Sequence, residues 1–246
     1  MTIETNVLQS QIIDELSKFA SVKYRQAIER YTTAKPLNLE YLGVRIPEIR
    51  KIANSFFQKL KVLGIKNIDD IILYCEYLLE SRIAELRTIA FQWSFKCKKQ
   101  FQPKHFIVFE RWLKKYVTGW GSTDDFCVKS FGYFIYTFPE FIPKVKKWTN
   151  SRNQWVRRAS AVVLIYGLRR GEFLEDAFEL ADLLFNDEEM YVLKGYGWML
   201  KEASNTYKDK VFAYVMKNKE DMPRTSLRYA IEKMPDEMRK KAMAKN

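Results

Sequence analysis

Six segments of this chain repeat one pattern, and that repeat limits the fold more than any other feature. PEIRKIANSF, ELRTIAFQW, STDDFCVKSF, WVRRASAVVL, VLKGYGWML and SLRYAIEKM align on Arg50, Arg87, Asp124, Arg158, Lys194 and Arg228. The intervals are 37, 37, 34, 36 and 34 residues. Three positions after each aligned residue stand Ala53, Ala90, Cys127, Ala161, Gly197 and Ile231, five of them small. A small side chain at a fixed place lets neighbouring helices approach closely. Each interval has room for a second helix, as in FIPKVKKWTN and EDAFELADLLF. A helix pair every ~34–45 residues is the mark of an α-solenoid of the HEAT or TPR type.

The rest of the chain agrees with helix throughout. Only 9 Gly and 7 Pro occur in 246 residues, and Pro47, Pro103, Pro223 and Pro235 stand where helices would open. Proline suits a first helical turn because its missing N–H would go unpaired there anyway. No Asn-Gly or Asp-Gly hairpin signal appears, and no Ser/Gly-rich linker divides the sequence. The expected fold is all-α: a HEAT-like helical-repeat solenoid with a concave basic groove, one domain spanning 1–246 with about six repeats.

Charge narrows the partner. Lys and Arg total 42 against 30 Asp and Glu, a net charge of +12, which favours a polyanion, nucleic acid before membrane surface. From Phe141 to Arg170 there are eight basic residues and no acid. From Lys96 to Lys115 there are seven Lys or Arg against Glu110 alone. The aligned bases Arg50, Arg87, Lys194 and Arg228, with Lys129 and Arg157, are the candidate phosphate contacts. Cys75, Cys97 and Cys127 have no CxxC spacing and His105 is the single histidine. That excludes a disulfide scaffold, a Cys-based zinc site and a His-His device, and neither metal nor cofactor is expected. The polar, acidic N-terminal stretch lacks a signal-peptide pattern, and no apolar run approaches a membrane span. The expectation is a soluble, monomeric, cytoplasmic protein.

Four residues resist a purely structural role. In TGWGSTDDFCVKSFG, Gly119 and Gly121 are expected to form a loop around Trp120. Ser122 is expected to cap a helix, with Asp125 closing a capping box. Asp124 is left over: either an acid favoured by the helix dipole or a functional carboxylate. Its change to Asn is therefore expected to leave the melting temperature nearly unchanged. Trp120 is either a loop anchor or an exposed stacking side chain. In NQWVRRASAVVLIY, Arg157 and Arg158 lie near a helix N-terminus, which suits cations poorly unless an anion binds there. In YVLKGYGWMLKEA, Val192, Leu193, Tyr196, Met199, Leu200 and Ala203 form one apolar stripe. Trp198 falls on the opposite face, between Lys194 and Glu202. Aromatic walls around a carboxylate make a cation-recognition box, and in a phosphate-binding groove the natural cation is an alkylated purine.

At these motifs the sequence resembles the AlkD-type family of bacterial DNA alkylation repair glycosylases, built from HEAT-like repeats. The resemblance runs from YLGVRIPEIRKIA through GWGSTDD, NQWVRRASA and YGWMLKEAS to SLRYAIEKM. It implies catalytic roles for Trp120 and Asp124, for Arg158 in its Trp-x-x-Arg-Ala setting, and for Trp198 in its Gly-Trp-x-Leu-[Arg/Lys]-Glu setting. It also implies double-stranded DNA as partner and excision of N3- and N7-alkylpurines without metal. The chain departs from the family pattern at Gly119 and Gly121, where relatives typically carry a second Trp and an Asp. A non-enzymatic DNA-binding protein of the same fold, recognising bent or branched DNA, is the alternative.

Overall fold

The computed structural model describes residues 4–31 and 39–244. They fall into two compact units, divided after His105. Among the described residues every regular element is helical, apart from one isolated bridge between Glu40 and Ile83. None of these helices is long and apolar enough to cross a membrane.

The first unit holds α1 (Thr5–Ser17), α2 (Val22–Tyr31), α3 (Ile46–Val62), α4 (Ile68–Leu79) and α5 (Ala84–Lys96). Helix α3 takes Pro47 into its first turn and buries Ile49, Ile52, Ala53, Phe56, Phe57 and Leu60, a stripe at helical spacing. Helix α5 packs on it, and the Trp93 indole donates to the Ala53 carbonyl at 2.8 Å. The segment before α3 is held by a buried acid. Glu85 accepts hydrogen bonds from the backbone N–H groups of Leu42, Gly43 and Val44 at 3.1, 2.9 and 3.2 Å. Gly43 has φ +82°, and a Cβ there would stand 2.4 Å from the Ser21 carbonyl oxygen, so the turn admits only glycine. His105, at the unit's end, is buried; its Nδ1 accepts from the Gln102 N–H and its Nε2 faces Asp69 at 3.0 Å. It is a packed residue of the interior.

Past the boundary helix α6 (His105–Tyr116), the second unit contains α7 (Trp120–Phe126), α8 (Gly132–Thr137), α9 (Ile142–Lys147), α10 (Gln154–Val162), α11 (Ile165–Leu168) and α12 (Leu174–Leu183). It closes with α13 (Met190–Ala203), α14 (Lys208–Asn218), α15 (Arg224–Ile231) and α16 (Asp236–Met243). A five-residue π turn, Cys127–Phe131, joins α7 to α8. Helices α7, α10, α13 and α15 pack each on the next, and α12 and α14 cover α13 and α15. These four carry Asp124, Arg158, Lys194 and Arg228, the last four members of the sequence alignment. The small positions do what the pattern requires. Cys127 and Ala161 are fully buried, and a Cβ on Gly197 would meet the Ser226 carbonyl oxygen at 2.8 Å.

Hydrogen bonds between side chains carry the same period. Arg157–Asp187 spans 30 residues, Arg158–Asp124 spans 34, Arg169–Glu202 spans 33 and Lys201–Glu232 spans 31. Each ties one helix pair to its neighbour. An aromatic cluster of Phe106, Phe109, Trp112, Phe126, Phe131, Phe134 and Trp148 fills the interior beside α7 and α8. It fixes the helix from which Asp124 projects.

Candidate active site

Helix α7 starts one turn earlier than the sequence motif suggests. Gly119 is the N-cap, and Trp120 opens the helix instead of riding a loop. Ser122 therefore sits inside the first turn, not at the cap. Its hydroxyl accepts from the Thr118 and Gly119 N–H groups, both at 3.2 Å, and donates to the Gly119 carbonyl at 3.0 Å. Reaching backward, it satisfies donors that a helix end leaves unpaired. Asp125 closes no capping box; its carboxylate pairs with Lys129, one turn on.

With Trp120 at the first helical position, Trp120 and Asp124 are four residues apart on one helix and share a face. Trp120 is 50% exposed, which resolves its role against a core anchor. Asp124 points toward α10, where Arg158 meets it as a fork: Nε to Oδ1 and Nη2 to Oδ2, each 2.9 Å. The third arm, Nη1, donates to the Tyr191 carbonyl at 2.6 Å. Gly195 of α13 makes room for this side chain, since a Cβ there would lie 3.1 Å from the Arg158 Cγ. The Arg158 guanidinium carbon stands 6.0 Å from the Trp198 ring centroid. Trp198 is half-buried, as its polar-face position predicts, and its indole N–H donates to Glu202 at 3.0 Å. Asp124, Arg158 and Trp198 thus meet across α7, α10 and α13, and Trp120 stands one turn before Asp124 on α7.

Electrostatics sets the state of Asp124. Burial pushes its carboxyl above the ordinary aspartate value; the Arg158 fork pulls it back and the neighbouring Asp125 adds repulsion. The pair is largely desolvated, with Arg158 only 5% exposed. A raised carboxyl marks the ionised form as the costlier one in this fold.

The remaining candidates separate. Arg157 is committed to Asp187, with Nε to Oδ2 at 2.6 Å, and to the Ser151 carbonyl at 2.8 Å. Lys129 is committed to Asp125. The acid-free stretch 141–170 is accordingly no field of free cations: Lys146 meets Asp176 and Glu179, Arg169 meets Glu202, and only Lys144, Lys147, Arg152 and Arg170 lack an ion pair there among the described residues. Lys194 is half-buried, its ammonium 5.6 Å from the Tyr191 ring centroid. Arg228 is exposed on α15. Arg50, exposed on α3, and Arg87, which donates to the Ser81 carbonyl at 3.3 Å, belong to the first unit. The sequence reading missed two aromatics. Trp155 and Tyr191 pack with centroids 5.3 Å apart, next to the carbonyl that holds Arg158. Trp155 lies one turn before Arg158 in the same motif, and that spacing was the available signal. Among the described residues no three His, Cys, Asp or Glu side chains gather to hold a metal ion.

A family model described as DNA alkylation repair enzyme matches residues 12–234. A solved structure titled as a predicted DNA alkylation repair enzyme from Enterococcus faecalis superposes with a TM-score of 0.75. It is 14% identical and covers 88% of this chain and 97% of its own. The crystal structure of smu.31 from Streptococcus mutans UA159 gives a TM-score of 0.55 at 20% identity, covering 76% of this chain and 96% of its own. These likenesses establish the all-α, solenoid-like fold. Among curated proteins none matches. The chain belongs to the DNA alkylation repair enzyme family, which gives it a role in DNA alkylation repair with DNA as its partner.

Proposed function

Taking that membership as the premise, we propose that the protein is a DNA N-glycosylase that releases cationic N3- and N7-alkylpurines from duplex DNA. The observation that carries the reading is the Asp124–Arg158 pair, with Trp198 beside the guanidinium and Trp120 exposed one turn before Asp124. An N7- or N3-alkylpurine is already a cation, so it leaves as a neutral base and needs no general acid. The group left behind is an oxocarbenium-like sugar, and a fixed carboxylate stabilises it electrostatically. Asp124 supplies that charge. Its side chain keeps 20% of its surface exposed, and a carboxylate held by one fork retains lone pairs for a further contact. Trp120 offers an open ring face and Trp198 a half-covered one, both suited to a cationic sugar or base.

Arg158 serves two tasks in this scheme. It orients Asp124 with two of its five N–H donors and gives a third to the Tyr191 carbonyl, which leaves two for a backbone phosphate. Phosphate contacts fix register and carry no sequence code, so the protein reads the lesion by charge and not by sequence. Uracil, a neutral leaving group, would find no acid to assist it and is not a substrate.

A second reading is a non-enzymatic DNA-binding protein of this fold. Two observations favour it: both Asp124 oxygens are already engaged by Arg158, and Gly119 and Gly121 supply neither an aromatic nor an acid beside Trp120. Incubating methylated duplex DNA with the protein and measuring free 7-methylguanine and 3-methyladenine separates the two. Release of either base supports the glycosylase; tight duplex binding with no release supports the alternative.

A further inference from the structure

We infer that Glu202 is a positioning residue: it holds the Trp198 indole against Arg158, in the orientation that the proposed reaction uses. The inference rests on that reading of the site. An indole has a single polar handle, its N–H, so whichever group accepts that proton sets how the ring turns. Here the acceptor is Glu202 Oε1 at 3.0 Å. Trp198 and Glu202 are four residues apart on α13, where side chains meet along one face.

Glu202 is itself fixed. Its other oxygen accepts from Arg169 Nε at 2.9 Å and from Asn205 at 3.4 Å, and Lys233 approaches Oε1 at 3.7 Å. The residue is 6% exposed, and a carboxylate so far from water needs such partners. Burial alone would raise its carboxyl; the bonds from Arg169 and Trp198 outweigh that and hold it below the ordinary glutamate value. The acceptor is therefore a permanent anion. Trp198 lies between two ion pairs, Glu202–Arg169 at its N–H edge and Asp124–Arg158 at its ring. A ring held at one edge only by packing would turn about its side-chain torsions and leave Arg158. The anion at position 202 prevents this.

A plain structural staple between α11, α13 and the turn after α15 would make the same bonds, so the test uses two substitutions. Glu202→Leu removes the acceptor; Glu202→Gln removes the charge but keeps an oxygen for the indole. The readouts are single-turnover release of 7-methylguanine, duplex Kd, melting temperature, and the indole N–H resonance of Trp198, assigned with Trp198→Phe. We expect Glu202→Leu to shift that resonance and slow release on the order of tenfold or more, since small misplacements are costly, with Kd within about twofold. Glu202→Gln should restore the resonance and most of the rate, although it too loses the Arg169 ion pair. Equal rate loss in both variants, tracking melting temperature, would overturn the inference, as would wild-type release by Glu202→Leu. If wild type releases neither base, the glycosylase reading has failed. The indole then decides alone: quenching of Trp198 by bound duplex that is equal in wild type and Glu202→Leu rejects the positioning role, and quenching lost in Leu but kept in Gln upholds it.

Discussion

Glu85 in the first unit and Asp124 in the second are both carboxylates drawn out of water, and they are satisfied in opposite ways. Glu85 spends its oxygens on three successive backbone N–H groups. Those donors are neutral and fixed in the chain, and the acid is 3% exposed. Asp124 faces a charged side-chain guanidinium and keeps a fifth of its side chain open. An acid bound by backbone holds a loop in shape. An acid bound by a side chain that a phosphate can also attract stays available to a ligand. Burial does not mark function; the chemistry of the partner does.

Substituting each acid breaks the comparison most directly. Asp124→Asn should slow release of 7-methylguanine by ~10²–10³, the usual cost of losing one electrostatic contact to a transition state. Its effect on stability should be small, because the neutral carboxyl is already the form the fold favours and Asn keeps an oxygen for Arg158. Release kinetics and urea unfolding measure the two effects separately. Glu85→Ala should cost about 1–3 kcal/mol for unpaired N–H groups, limited by water entering the vacated space. Its release rate per folded molecule should equal wild type. Equal rate losses in both variants would erase the distinction.

Acid sharpens it further. Because the Asp124 carboxyl is raised in the fold, its protonated form is favoured there relative to the unfolded chain. Its contribution to stability is full below the unfolded value and is lost as pH rises through the folded one. Lowering the pH should therefore extinguish excision at a pH above the ordinary aspartate value, without unfolding driven by this residue. A rate profile and a melting profile against pH should part company there. The smallest effects belong to the polar side chains of α7: Ser122→Ala should cost about 0.5–1.5 kcal/mol for its backbone hydrogen bonds, and Asp125→Ala, whose Lys129 partner is partly exposed, at most about 1 kcal/mol, both by thermal melting.

Helix content, repeat length and the close-packing small positions were legible because they are local or periodic. Ala53, Ala161 and Gly197 announce tight helix contacts in any register. Trp120, Asp124, Arg158 and Trp198 could be grouped because equivalent repeat positions lie on neighbouring helices. The charge pattern misled for the complementary reason. The stretch 141–170 holds no acid, yet its acids stand on other helix pairs at Asp124, Asp176, Glu179, Asp187 and Glu202. A window of thirty residues is blind to partners about one repeat away. Glu85 was invisible too, since its partners are main-chain donors 41–43 residues distant with no side-chain signature. At Ser122 the S-x-x-D pattern pointed to a cap, but the chain had begun to coil at Trp120.

The π turn at Cys127–Phe131 acts as a dial setting for the whole site. A residue added to or removed from a helix rotates everything on one side of it by about 100° relative to the other. Downstream, Gly132 is clamped from outside the turn: a Cβ there would stand 3.0 Å from both Tyr166 Cβ and the Val163 carbonyl oxygen. Deleting one residue to restore plain α geometry would leave that clamp in place and swing Trp120 and Asp124 a quarter-turn away from Arg158. Lengthening or shortening the chain is tolerable between helices, but inside these five residues it would aim the carboxylate elsewhere.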